Sequence, residues 1–182
     1  MSIFTNSASR SREEAAAYTA ALFDLLGARE PVDVLRTTAA ALPRAVAGLT
    51  DAEHARPEAS GKWSVRQVVQ HLADSDLVWA YRLRMVLAHD RPAITGYDQD
   101  LWATRLRYDE SNMGEALEEF AMLRRANLRL IDRLSPDDLT RVGVHAERGE
   151  ESVAHMLRMY AGHDLLHLRQ IERIRRALSS LG

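Results

Sequence analysis

Residues 160–171 read Tyr160-Ala161-Gly162-His163-Asp164-Leu165-Leu166-His167-Leu168-Arg169-Gln170-Ile171, and their reading decides the fold. Four residues make about one helical turn, so in a helix both imidazoles leave the same face, about 6 Å apart along the axis. Met156, Tyr160, Ile171, Ile174 and Leu178 continue that face at helical spacing, which puts His163 and His167 on an inward stripe. Buried imidazoles need partners, because an unpaired polar group is costly to remove from water. One shared metal ion would satisfy both, and so would hydrogen bonds in an ordinary core. A third ligand from elsewhere in the chain distinguishes the two.

Working outward, the chain reads as helix almost throughout. Segments rich in Ala, Leu, Arg and Glu repeat at helical period and no stretch alternates as a convincing strand, so the expected class is all-α. Arg12 to Leu26 forms a short extra helix closed by Gly27; residues 1–30 are assigned to a peripheral N-terminal arm and residues 31–182 to a helical domain. Leu35, Ala39, Leu42, Val46 and Leu49 mark the next helix, with Pro43 inside it. Thr50 and Glu53 make a capping box, and Ser64 with Gln67 makes another at the start of a long helix striped by Val65, Leu72, Trp79, Leu83 and Val86. On its flank His71 joins Val68, Ser75 and Val78, with Asp74 three residues further on. His89 to Asp98 is a crossover loop. A third long helix runs from near Met113 to Leu134 with Phe120 and Ile131 inward, Ser135-Pro136 begins a short turn, and the fourth long helix starts near Ser152. Four long amphipathic helices make a four-helix bundle, a fold that builds metal sites from side chains on facing helices. His71 can then be the third ligand beside His163 and His167, although a lone histidine in such a place is more often structural. Three histidines leave a position open on a divalent ion, and neutral imidazole suits zinc or nickel.

Composition narrows the function. The 182 residues fit one domain, and 24 basic against 26 acidic residues leave no electrostatic footprint for nucleic acid or an anionic membrane. No apolar run reaches the length of a membrane span and the first residues lack a secretion signal, so a cytoplasmic location is expected. The absence of cysteine removes thiolate ligands and a cysteine nucleophile, so any thiol chemistry needs an external thiol.

Three motifs in order, WSVRQVVQHLADS (63–75), YDQDLW (97–102) and YAGHDLLHLRQI (160–171), resemble the DinB-like, YfiT-like metal-dependent hydrolase superfamily over roughly Val32 to Ile174. The resemblance implies a bundle of up-down-down-up order, a homodimer, and a divalent metal on His71, His163 and His167. Members include thiol-dependent transferases and isomerases that use bacterial low-molecular-weight thiols, and many proteins with no known activity. One departure is Asp164, where YfiT-type members often carry a histidine beside another.

Further residues are candidates with two readings each. Asp74 is either a base or an orienter of His71, or else an ion-pair partner of Arg66, Arg82 or Arg84. Tyr97, Asp98 and Trp102 either line the pocket mouth, where Tyr97 and Asp98 are candidate catalytic residues, or leave Trp102 anchoring the loop. His145 and His155 are set aside as surface or supporting residues; His155 sits about 80° round the helix from His163. The expected function is a metal-dependent transferase or hydrolase acting on a small molecule, the alternatives being a metal-stabilised, non-catalytic or stress-associated bundle and a metal-free helical interaction module.

Overall fold

The structure is a computed structural model that describes residues 12–179. Its elements run α1 (Arg12–Leu26), α2 (Pro31–Val46), α3 (Asp51–Ala55), α4 (Val65–Ala88), β1 (Ala93–Ile94), α5 (Gln99–Arg105), a 3-10 turn (Tyr108–Glu110), α6 (Met113–Ile131), α7 (Pro136–Thr140), β2 (Val142–His145), β3 (Gly149–Ser152) and α8 (Val153–Ser179). The helix starts follow local chemistry. Thr50 with Glu53, Ser64 with Gln67 and Ser135 with Asp138 each form a reciprocal capping box that satisfies otherwise orphaned N–H groups.

α2, α4, α6 and α8 form the bundle, and the residues they bury set their directions. Val34 and Leu35 meet Trp79 and Leu83 in one apolar cluster, whereas Leu42 and Val46 meet Val65 and Val68 in another, so α2 and α4 are antiparallel. Early α4 packs with Phe120 and late α4 with Ile131, so α4 and α6 are parallel. Leu35 lies with Leu157 and Ala161, while Leu42 lies with Ile171 and Ile174, so α2 and α8 are also parallel. That is the up-down-down-up order. It matches the four-helix expectation.

Leu42, Leu72 and Phe120 share one cluster, and Ile131 belongs to the other. A buried polar layer occupies the middle of the bundle. Arg124 of α6 donates Nε and Nη2 to Asp76 of α4, each at 3.0 Å, and Nη2 to Asp164 of α8 at 3.0 Å; its Nη1 reaches the Leu35 carbonyl at 3.0 Å. Arg124 and Asp164 are each 1% exposed and Asp76 2%, so these charges are held by one another and not by water.

Two expectations are corrected. The crossover region and the stretch before α8 supply a small sheet: β1 pairs parallel with β2, Ala93 opposite Val144, and β2 pairs antiparallel with β3, His145 opposite Gly149. Its strands are two to four residues long, too short for alternation to register as a pattern. α1 is also not peripheral. Ala15, Tyr18, Leu22 and Leu26 are buried, and a Cβ on Gly162 of α8 would stand 2.4 Å from the Leu22 carbonyl oxygen. Gly162 is small because the α1 backbone lies directly on it. Residues 1–11 of the assigned arm and residues 180–182 lie outside the described residues.

Candidate metal centre

His71 projects from the second turn of α4, fixed by the Ser64 cap, and His163 and His167 project from successive turns of α8. The long-range packing of α4 on α8 brings the three together. The Nε2 of His163 lies 3.1 Å from the Nε2 of His71 and 3.1 Å from the Nε2 of His167. One ring nitrogen from each residue falls within 4.8 Å of the other two. Imidazole nitrogens about 2.0–2.1 Å from a tetrahedral ion lie roughly 3.3 Å from one another, so the donor set fits a divalent ion.

The surroundings prepare these rings as ligands. Burial depresses the pKa of all three, that of His71 well below its ordinary value, His163 to about 4 and His167 to about 3, so each keeps a free lone pair at neutral pH. The Nδ1 of His167 is 2.8 Å from the Gln170 side-chain oxygen, which can only accept. That contact puts the proton on Nδ1 and turns the Nε2 lone pair toward the other two rings. Trp63 packs on His71 with ring centroids 4.9 Å apart, and the buried Nδ1 of His71 has no hydrogen-bond partner among the described residues.

Of the other sequence candidates, Tyr97 reaches the site. Its hydroxyl is 3.0 Å from the Ser75 hydroxyl, which is 3.4 Å from the Nε2 of His71. Burial pushes the Tyr97 pKa up to about 12, so the phenol stays protonated and serves as a hydrogen-bond donor. Trp102 supports it, with ring centroids 4.5 Å apart. Asp98 plays a different part, because its Oδ1 accepts the backbone N–H groups of Asp100 and Leu101, both at 3.0 Å, and so caps α5. Asp74 accepts from the Tyr108 hydroxyl and from Gln70, and among the described residues it neither orients His71 nor pairs with an arginine. Arg66 instead pairs with Asp51, and Arg84 binds Asn127. His145 is buried in β2, accepting the Glu147 N–H on Nδ1, and His155 sits edge-on to Phe23. Neither joins the triad.

The cluster opens to two spaces. A cleft of about 800 Å³ reaches His167 between Trp63, Gln67, Gln99 and Gln170. A chamber of about 50 Å³ reaches His163 between Ser75, Tyr97, Arg82 and Tyr160, and Gln99 borders both. The contributions of Gln170 and Gln99 were missed in the sequence, although Gln170 lies one turn beyond His167 and its position was available.

Residues 35–171, most of this bundle, match the family model described as the DinB superfamily. The chain belongs to the DinB superfamily. Among relatives of this DinB-superfamily protein, a candidate metal-dependent hydrolase of Oceanobacillus iheyensis is 32% identical over 134 residues, covering 72% of this chain and 75% of the relative. YfiT of Bacillus subtilis, named in the same way, is 29% identical over 151 residues, covering 81% of this chain and 83% of its own. The solved structure of YfiT superposes with a TM-score of 0.77 at 27% identity, over 82% of this chain and 86% of that one. It is described as a probable metal-dependent hydrolase with an unusual four-helix bundle topology.

Proposed function

We propose that this DinB-superfamily protein is a metal-dependent enzyme holding one zinc or nickel ion on His71, His163 and His167, and that it transfers an external low-molecular-weight thiol to a small electrophile. When bound, such an ion lowers the pKa of a thiol or a water at its open position and so supplies a nucleophile at neutral pH. The observation that carries the reading is the convergence of three neutral imidazoles at the edge of a cleft of about 800 Å³. A site that only stapled helices together would need no such opening, and this volume has room for two reactants side by side.

The chain's own residues bind and orient. Gln170 holds His167 in the tautomer that points Nε2 inward, and Ser75 links His71 to the protonated Tyr97 hydroxyl. Tyr97 can donate a hydrogen bond to negative charge that develops on the electrophile. With no cysteine in the chain, the transferred sulfur comes from the external thiol. Hydrolysis is the second reading, favoured by the names of the relatives. The proposal includes a homodimer, for which a native-mass measurement is the check.

The test supplies metal-loaded protein with an electrophile panel, with and without low-molecular-weight thiols, beside ester and amide panels. Thiol-dependent turnover that is lost in His163→Ala supports transfer, and thiol-independent turnover supports hydrolysis. If neither appears and metal removal only lowers the melting temperature, the ion is structural.

A further inference from the structure

The chamber on the His163 side contains a buried cation that forms no ion pair among the described residues. Arg82 of α4 is 8% exposed, and among the described residues no carboxylate lies within 4 Å of it. Its guanidinium donates to the Thr95 carbonyl, lies beside the Tyr160 hydroxyl and stands 5.8 Å from the centroid of the Tyr97 ring. These contacts are neutral, and a guanidinium carries five N–H donors. The other arginine of the chamber, Arg148, is matched by Glu151. A charge removed from water and left without an opposite charge is an expensive arrangement, and binding sites are where it is useful.

A second observation comes from His145. This ring is 2% exposed and lies close enough to Arg82 to feel its charge. Its Nδ1 accepts the Glu147 N–H, so in the neutral ring the proton sits on Nε2, and that buried N–H has no acceptor among the described residues. Among the described residues, the Arg82 charge lacks an ion-pair partner and the neighbouring His145 N–H lacks an acceptor.

We propose that this chamber is a subsite for the carboxylate of the substrate, with Arg82 as the group that reads its charge. The inference deepens the function proposed above, and as a substrate subsite it rests on that reading. Size allows a carboxylate: a single water needs roughly 10–15 Å³ of such space, so a chamber of about 50 Å³ accommodates a small planar anion. Place favours it too. His163 lines the chamber and His167 the large cleft, while Gln99 borders both. A substrate seated with its carboxylate on Arg82 therefore has its next atoms beside the three histidines and the rest of its body in the cleft. Ser75, Tyr97 and Tyr160 add hydroxyls to the chamber wall, and the ring of Tyr160 is stacked at 4.5 Å on Trp79, which keeps it in place.

The test titrates metal-free and zinc-loaded protein with acetate and with acetamide, its neutral counterpart, and follows the Arg82 Nε–H resonance by NMR. Zinc content is measured for every variant. Acetate should bind the metal-free protein and shift that resonance, whereas acetamide should not. Arg82→Gln should weaken acetate about 10- to 100-fold at unchanged zinc stoichiometry, and Arg82→Lys should recover part of the loss. Equal binding of acetate and acetamide to the wild type overturns the subsite, a result that does not depend on how any variant folds. Acetate that binds only with zinc, and equally well to Arg82→Gln, is a metal ligand; that result overturns the subsite and leaves the metal centre standing. Arg82-dependent acetate binding in a protein that takes up no zinc keeps the anion site and removes the metal reading.

Discussion

At the residue scale, the clustering of the three histidines was legible and its support was not. His163 and His167 could be paired from their spacing alone, and His71 from its place on the flank of the long helix. A carboxylate that caps a helix and one that serves catalysis look alike in sequence, and the two backbone donors that Asp98 accepts are visible only in the structure. His167→Ala should abolish stoichiometric metal binding, and His145→Ala should not, as elemental analysis of gently purified protein will read. Gln170→Leu should weaken metal affinity by about 10–100-fold, the usual cost of losing an outer partner of a ligating histidine. His145 supports a separate prediction. Burial lowers its pKa to about 4 from 6.5, so between those values the unfolded chain binds a proton that the folded chain excludes. Its contribution to stability is present above about pH 6.5 and is lost as pH falls toward 4. In His145→Asn, whose side-chain oxygen can take the Glu147 N–H, metal-free protein should lose less stability than the wild type between pH 7 and pH 4.5. Urea midpoints at several pH values measure the difference, and parallel curves would show that His145 is not excluded from protonation.

At the scale of elements, what is local was readable and what is distant was not. The capping boxes of α3 and α4 need only residues three apart, and both form as their sequence signatures indicate. The sheet depends on residues about fifty positions apart meeting, with Ala93 opposite Val144, and nothing within β1 announces it. α1 is the same kind of case, since its apolar face has a visible period but its partner does not. The one signal was Gly162, a glycine in the middle of a helix where it costs about 1 kcal/mol relative to alanine. Gly162→Ala gains that propensity but drives a methyl into the Leu22 backbone, and overpacking of this kind costs about 1–3 kcal/mol. The variant should melt no higher than the wild type, and the amides of α1 should exchange faster. A higher melting temperature with unchanged protection of α1 would show that the helix is not seated there. Phe120, 1% exposed in the cluster with Leu42 and Leu72, should cost about 3–5 kcal/mol on truncation to alanine.

At the scale of the whole molecule, the core is divided. Asp76, Arg124 and Asp164 occupy core-facing positions in three different helices, and the two apolar clusters lie on either side of them. Each charge alone reads as an interruption of an apolar stripe; Asp164 sits at the spacing of Leu157, Ala161 and Ile171. Only their sum, two acids and one base, suggests a mutual solution. Burial raises the pKa of Asp76 to about 6 against the opposing pull of Arg124, which shows how closely desolvation and attraction compete in this layer. Removing one member leaves the others charged in a place water does not reach. Arg124→Met should therefore cost about 3–5 kcal/mol in urea unfolding. Replacing all three, with Asp76→Leu and Asp164→Leu added, removes every buried charge together and should recover most of that loss. The triple variant then reports what the layer does besides stabilise: α8 carries Asp164 next to His163, so if the ion network sets the register of α8 against α4, zinc affinity should fall even where stability is regained. Retained stability with unchanged zinc affinity would show that apolar packing alone aligns the two helices that carry the histidines.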